Sequence, residues 1–226
     1  MNKSENHVTV SQDNPIIKVE PYFKSFIVHW LIGTRCNYNC SYCPDMWHSY
    51  NSEDKSLTEL QRSWQRILEI NHTNLKKYEL SFLGGENTLN KNFLPFLRWL
   101  HAEYKDIISN IGFITNGTAN IKYYTEALRY CNWITFSTHS EFINEDKFFR
   151  VVTTINELSK QTNCSIKVNI MNEPWHQDRI IKYKNYLDTM NIDNYMHPIY
   201  DFKEGKLPLP IKAQKIDFFD DNFTKK

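Results

Sequence analysis

Residues 26–43 read FIVHWLIGTRCNYNCSYC, and this run holds the two features from which the rest of the chain is read. Its first half, Phe26 to Gly33, is an apolar stretch of strand length closed by a glycine. Its second half places three cysteines, Cys36, Cys40 and Cys43, within eight residues. A buried strand thus ends directly in a loop rich in metal-binding side chains.

The same alternation continues along the chain. A helix is expected from about Leu57 to Ile70, its start marked by Ser56 and Glu59 at capping-box spacing. Strands are then expected at Tyr78–Leu83, Ile111–Thr115, Trp133–Thr138 and Ser165–Met171, with a weaker one at Tyr195–Tyr200. Helices are expected between them at Phe93–Tyr104, Ile121–Arg129, Lys147–Ser159 and Asp178–Met190. Pro198 argues that the last strand lies at a sheet edge. Alternating units of this kind build a parallel sheet with right-handed crossovers. In such folds, chemistry collects on the loops that follow the strands' C-terminal ends.

Composition bounds the reading. With 226 residues, 41% of them hydrophobic, the chain supports one domain with a real core. Residues 1–20 read as a polar extension, 21–200 as the core domain and 201–226 as a tail. The net charge of +1 offers no field for nucleic acid or an anionic membrane. The first fifteen residues lack the apolar core of a secretory signal, and no apolar run reaches bilayer length, so a cytoplasmic, non-membrane protein is expected. Five cysteines, an odd number with three crowded together, do not suit a disulfide framework.

Thiolates are the ligands that iron–sulfur clusters take, and a short loop at this spacing can wrap one corner of a cubane. Cys131 and Cys164 are far along the chain, which leaves a fourth iron open to a small molecule. A zinc knuckle with His48 as fourth ligand is the competing reading. After the second strand comes Gly84-Gly85-Glu86, where two glycines permit close backbone approach and the carboxylate suits an ammonium group.

Together, the cysteine spacing, Tyr42 just before the third cysteine and the Gly-Gly-Glu loop resemble the radical S-adenosylmethionine (SAM) superfamily. The resemblance implies a partial (β/α)6 TIM-like barrel with helices outside. It implies a [4Fe–4S] cluster on Cys36, Cys40 and Cys43, with SAM chelating the fourth iron. Glu86, Gly84 and Gly85 would receive the methionyl ammonium, and Tyr42 would lie near the adenine. Thr115 and Asn116, followed by Gly117, resemble the family's turn after the third strand. Ser137 would contact the ribose, and Asn169 would help hold SAM. Asn87 stands where the family usually has proline.

Strand alternation adds a residue-level argument. Thr135, Ser137 and His139 share one face of the fourth strand, and Lys167 and Asn169 one face of the fifth. Their apolar neighbours face the helices, so these polar residues are expected to line the barrel interior. His139 and Lys167 are the catalytic candidates, as proton donor or substrate contact. Met196 and His197 are placed near the adenine. The resemblance implies reductive cleavage of SAM to a 5′-deoxyadenosyl radical that abstracts hydrogen, with a one-electron donor such as flavodoxin or ferredoxin. The absence of downstream cysteine pairs disfavours an auxiliary-cluster domain. Ser81 stands where molybdenum-cofactor enzymes carry an arginine, which argues against their nucleotide. A small polar metabolite such as a sugar or nucleotide is the preferred substrate. The alternatives are a peptide- or protein-modifying enzyme and a non-catalytic protein that binds cluster or SAM.

Overall fold

The computed structural model of the chain describes residues 24–44, 49, 51–71 and 75–199. The extension 1–20, Trp47, His48, Tyr200 and the tail 201–226 lie outside the described residues.

Six strands form one sheet: β1 (Phe26–Leu31), β2 (Tyr78–Leu83), β3 (Ile108–Thr115), β4 (Trp133–Thr138), β5 (Ser165–Asn172) and β6 (Asp193–Pro198). Their order in space is their order in the chain, and every neighbouring pair is parallel. The crossovers carry α1 (Leu57–Ile70), α2 (Phe93–Tyr104), α3 (Ile121–Ala127), α4 (Glu145–Ser159) and α5 (Gln177–Thr189). Among the described residues, β1 and β6 each pair on one side only. This is the α/β architecture of a partial TIM-like barrel, with a gap between its first and last strands. Pro198 sits at the end of the edge strand β6, opposite Asn172 of β5.

Capping chemistry sets the helix starts. Ser56 and Glu59 form the full capping box, and α1 begins one residue after Ser56. The helix α4 starts at Glu145, two residues before the expected Lys147. Asn144 caps it by accepting from the Lys147 N–H, and Glu145 and Asp146 in the first turn suit the positive helix end. The helix α5 closes through Asn191, whose φ of 52° is the left-handed conformation that asparagine tolerates. The strand β3 starts at Ile108, three residues before the expected Ile111, because a register shift at Tyr78/Glu79 absorbs the extra residue Ser109.

The outward faces of the strands make the core. Phe82, Phe113, Ile134, Phe136 and Val168 are fully buried. They meet buried helix residues that include Trp64, Phe93, Phe96, Tyr124, Val152 and Tyr183. Edge-to-face contacts tie the two layers, as at Phe82–Phe93 and Phe93–Phe113, both with ring centroids 5.2 Å apart. The inward faces are thereby left to line a site.

Candidate active site

The cysteine loop leaves β1 and lies against the Gly-Gly-Glu loop that leaves β2. The Gly85 N–H donates to the Gly33 carbonyl (3.1 Å) and the Glu86 N–H to the Arg35 carbonyl (2.7 Å). The glycines are required by this contact. Gly84 has φ +134°, and a Cβ there would lie 2.3 Å from the Gly33 oxygen; a Cβ on Gly85 would lie 2.2 Å from the Arg35 oxygen. Within the loop, the Cys43 N–H donates to the Cys40 carbonyl, and the Tyr38 N–H to Cys36 Sγ at 3.4 Å. Cys40 is buried, and Cys36 and Cys43 are half-buried. Burial pushes the Cys36 thiol up, and pushes Cys40 up to about 12.

Glu86 is buried and engaged by four protein donors. Its Oε1 accepts from the Thr88 N–H (3.0 Å), Thr88 Oγ1 (2.6 Å) and Thr115 Oγ1 (2.7 Å), and its Oε2 from the Asn116 N–H (2.6 Å). Burial holds its carboxyl above the usual range, and these hydrogen bonds work against that rise. Asn116 also donates from Nδ2 to Asn37 Oδ1 at 2.9 Å, which ties the β3 turn to the cysteine loop. Asn87, in place of the proline, bridges two strands by donating to the Phe82 carbonyl (3.3 Å) and the Ile114 carbonyl (3.2 Å). The loop thus gains from hydrogen bonds the rigidity that a proline ring would give it.

From the other side, the loops after β4 and β5 hold the cysteine loop. Glu141 accepts from the Ser41 N–H (2.7 Å) and from the Ser41 hydroxyl. His139 Nδ1 lies 2.7 Å from the Tyr42 hydroxyl and 3.5 Å from Cys40 Sγ. Its ring lies nearly parallel to Tyr42, at an interplanar angle of 13°. Burial pushes His139 down to about 4, with the Glu141 charge acting in the opposite direction, so the imidazole is neutral near pH 7. The Tyr42 hydroxyl donates to Glu173 Oε1 at 3.2 Å, and burial pushes this phenol up, reinforced by Cys40 and Glu173. Glu173 is fully buried and also accepts from the Ser140 N–H (2.7 Å) and faces His176 Nδ1 (2.8 Å).

All these loops surround one cavity of about 340 Å³ at the C-terminal end of the sheet. Cys36, Cys40, Cys43, Tyr42, Gly84, Gly85, Thr115, Asn116, Ser137, His139, Asn169 and His197 line it. Ser137 and Asn169 are register partners on β4 and β5, which places both side chains at one height. Glu86 stands behind this wall as a brace between the β2 and β3 loops.

Two expected residues lie elsewhere. Lys167 shares the face of Asn169 but sits two residues nearer the start of β5, and it does not line the cavity. Its side chain is 44% exposed, its ammonium is 3.8 Å from Asp193, and it lies over the Tyr195 ring. The cost of a buried lysine, which had marked it for the site, does not arise. Met196 packs against the core, because alternation turns it outward while His197 turns inward. Sequence reasoning missed Glu141 and Glu173. Both follow strand ends, and Glu141 lies three residues beyond β4 as Glu86 lies three beyond β2. A search for carboxylates at that offset would have found Glu141.

Residues 30–162, more than half of the chain, match the family model for the radical SAM superfamily. No curated protein matches the chain. Among solved structures, anSMEcpe with bound AdoMet is similar with a TM-score of 0.54 and 20% identity, over 77% of this chain and 50% of that one. Streptococcus suis SuiB bound to the precursor peptide SuiA has a TM-score of 0.56 and 17% identity, over 76% of this chain and 40% of that one. The chain therefore spans half or less of these two proteins, and the likeness is one of fold. Motif, fold and family model converge: the chain belongs to the radical SAM superfamily.

Proposed function

We propose that this protein is a radical SAM enzyme in which Cys36, Cys40 and Cys43 hold a [4Fe–4S] cluster and the adjoining cavity takes SAM. The observation that carries the reading is the meeting of three thiols, the glycine pair and the Ser137–Asn169 pair around one cavity. The donor set fits the group. Three thiols on one short loop, all on the wall of one cavity, are the ligand type that iron–sulfur clusters take. Among the described residues, neither Ser137 Oγ nor the Asn169 amide has a hydrogen-bond partner, so both are available to a ligand's hydroxyls.

When bound, the cluster would supply the electron for reductive cleavage of SAM, the source of the 5′-deoxyadenosyl radical that would take hydrogen from a substrate, with flavodoxin or ferredoxin as electron donor. The chain's own residues bind and orient. The Gly84 and Gly85 backbone offers carbonyl acceptors to the methionyl ammonium, while Glu86, Thr115 and Asn116 hold that backbone in place. Ser137 and Asn169 meet the ribose and the methionyl end. The Tyr42 and His139 rings wall the adenine side and exclude water.

A small polar metabolite is the first substrate reading, with Tyr38, Asn116 and His197 of the same cavity wall as its polar contacts. A peptide substrate is the second reading, favoured by the gap between β1 and β6. Ile27, Leu31 and Tyr195 on the inward faces of these edge strands are 42%, 48% and 53% exposed. An extended chain bearing an apolar side chain can pair with such an edge. Among the described residues, no helix is long and apolar enough to cross a membrane.

The test is anaerobic reconstitution, iron and sulfide analysis, and a dithionite assay for 5′-deoxyadenosine. About four irons per chain and SAM cleavage are expected. Cys40→Ala is expected to abolish cleavage and lower iron content; a variant with full iron and full cleavage refutes the reading. A loaded wild-type protein that never cleaves SAM instead supports the non-catalytic role.

A further inference from the structure

A chain of side chains runs outward from the cysteine loop: Cys40, His139, Tyr42, Glu173, His176. Its polarity follows from donor chemistry. A carboxylate only accepts, so the proton between Tyr42 and Glu173 belongs to Tyr42. The Tyr42 oxygen, its one proton directed at Glu173, then accepts from His139 Nδ1. A thiolate on iron also carries no proton, so a favourable contact between Cys40 Sγ and Nδ1 again requires the hydrogen on Nδ1. Both ends of the chain therefore select the same tautomer of His139. The Glu173 carboxylate cannot turn away, because the Ser140 N–H holds Oε1 and His176 holds Oε2 in a fully buried site.

We propose that Glu173 is a positioning residue which, through Tyr42, fixes His139 as its Nδ1–H tautomer, whose one hydrogen is shared between the Tyr42 oxygen (2.7 Å) and Cys40 Sγ (3.5 Å), so that His139 donates a hydrogen bond to a cluster ligand. The inference rests on the functional reading above, in which Cys40 binds the cluster. Its consequence is electrostatic. A donor aimed at a ligand sulfur stabilises the more electron-rich, reduced cluster, and so raises its reduction potential.

The experiment is a redox titration of the iron-loaded protein, followed by the EPR signal of the reduced cluster. Tyr42→Phe keeps every charge and removes the nearer acceptor for Nδ1–H, which then donates wholly to Cys40 Sγ; its midpoint is expected to be less negative than wild type. Glu173→Leu and Glu173→Gln lose the same charge, but only glutamine keeps an acceptor for Tyr42. The leucine variant is expected to titrate at a more negative potential than the glutamine variant. In a His139→Phe background both differences are expected to vanish, because the path to Cys40 is gone. A Tyr42→Phe protein with full iron and the wild-type midpoint overturns the inference, as do differences that survive without His139. Loss of iron in Tyr42→Phe and Glu173→Leu alike makes the chain a structural brace and also overturns it. A wild-type chain that takes up no iron refutes the functional reading itself. A loaded wild type with unmoved variants refutes this inference alone.

Discussion

Replacing Gly85 by alanine tests how the two loops hold each other. The added Cβ would lie 2.2 Å from the Arg35 oxygen, 2.6 Å from the Arg35 carbonyl carbon and 2.7 Å from the Thr34 oxygen. All three are backbone atoms, so no side chain can swing aside and the cysteine loop must move. Overpacking of this kind costs about 1–3 kcal/mol. The movement also weakens the two inter-loop hydrogen bonds, each contributing about 0.5–1.5 kcal/mol. A loss of about 3–4 kcal/mol is expected, which for a chain of this length lowers Tm by roughly 6–16 °C. Gly33→Ala is the control: nothing lies within 4 Å of its added Cβ, and a change within about 0.5 kcal/mol is expected. Calorimetry or urea unfolding of the iron-free proteins measures the stability, and iron content after anaerobic reconstitution measures the site. Gly85→Ala with wild-type stability and full iron would show that the contact does not hold the loop, and would refute the reasoning.

Other substitutions probe separate parts. Glu86→Gln places an amide NH₂ against donors that the carboxylate now accepts, and should destabilise the iron-free chain by about 1–3 kcal/mol in urea unfolding. Cys131→Ser and Cys164→Ser, both buried away from the cavity, should retain the wild-type iron content after reconstitution. Glu145 links α4 to α5: burial raises its pKa, but hydrogen bonds from Lys182, Tyr183 and Arg179 together outweigh this and hold it below the usual carboxylate range. A depressed folded-state pKa gives stability that is present above the ordinary carboxylate pKa and lost as pH falls through the folded value. Glu145→Gln should therefore lower the urea midpoint at pH 7 and leave it closer to wild type at pH 3; an equal loss at both pH values would contradict the linkage.

The alternation of apolar runs and capped helices made the six-strand sheet readable, because each boundary carries local chemistry. Ser56 with Glu59 marks a helix start on its own, and the expected and observed limits of α1 coincide. Asn144 gives a weaker mark, and α4 began earlier than read. The lining of the cavity was readable where a motif joins a strand end, as at Gly84 and Gly85. It was less readable where the answer depends on height along a strand. A period of two puts Lys167 and Asn169 on one face, but only the packed barrel shows that Asn169 reaches the cavity and Lys167 does not. Hydrogen-bond partners were not readable either. The resemblance gives Glu86 the methionyl ammonium and Thr115 and Asn116 the turn after the third strand, and in the structure Glu86 accepts hydrogen bonds from both. Glu173 escaped because its partners, Tyr42 and Ser140, come from distant loops.

Strand order in space equal to strand order in the chain has a consequence for synthesis. Each β-strand finds its first partner in the unit made just before it, so the sheet can assemble as the chain leaves the ribosome. The cysteine loop emerges first and is gripped on one side by Gly85 and Asn116, well before Glu141 and Glu173 exist to close the other. A chain stopped before β4 would hold its three thiols without the contacts that Glu141 and Glu173 make to Ser41 and Tyr42. Glu141 and Glu173, in the loops after β4 and β5, complete the cradle only once the second half of the chain has joined the sheet.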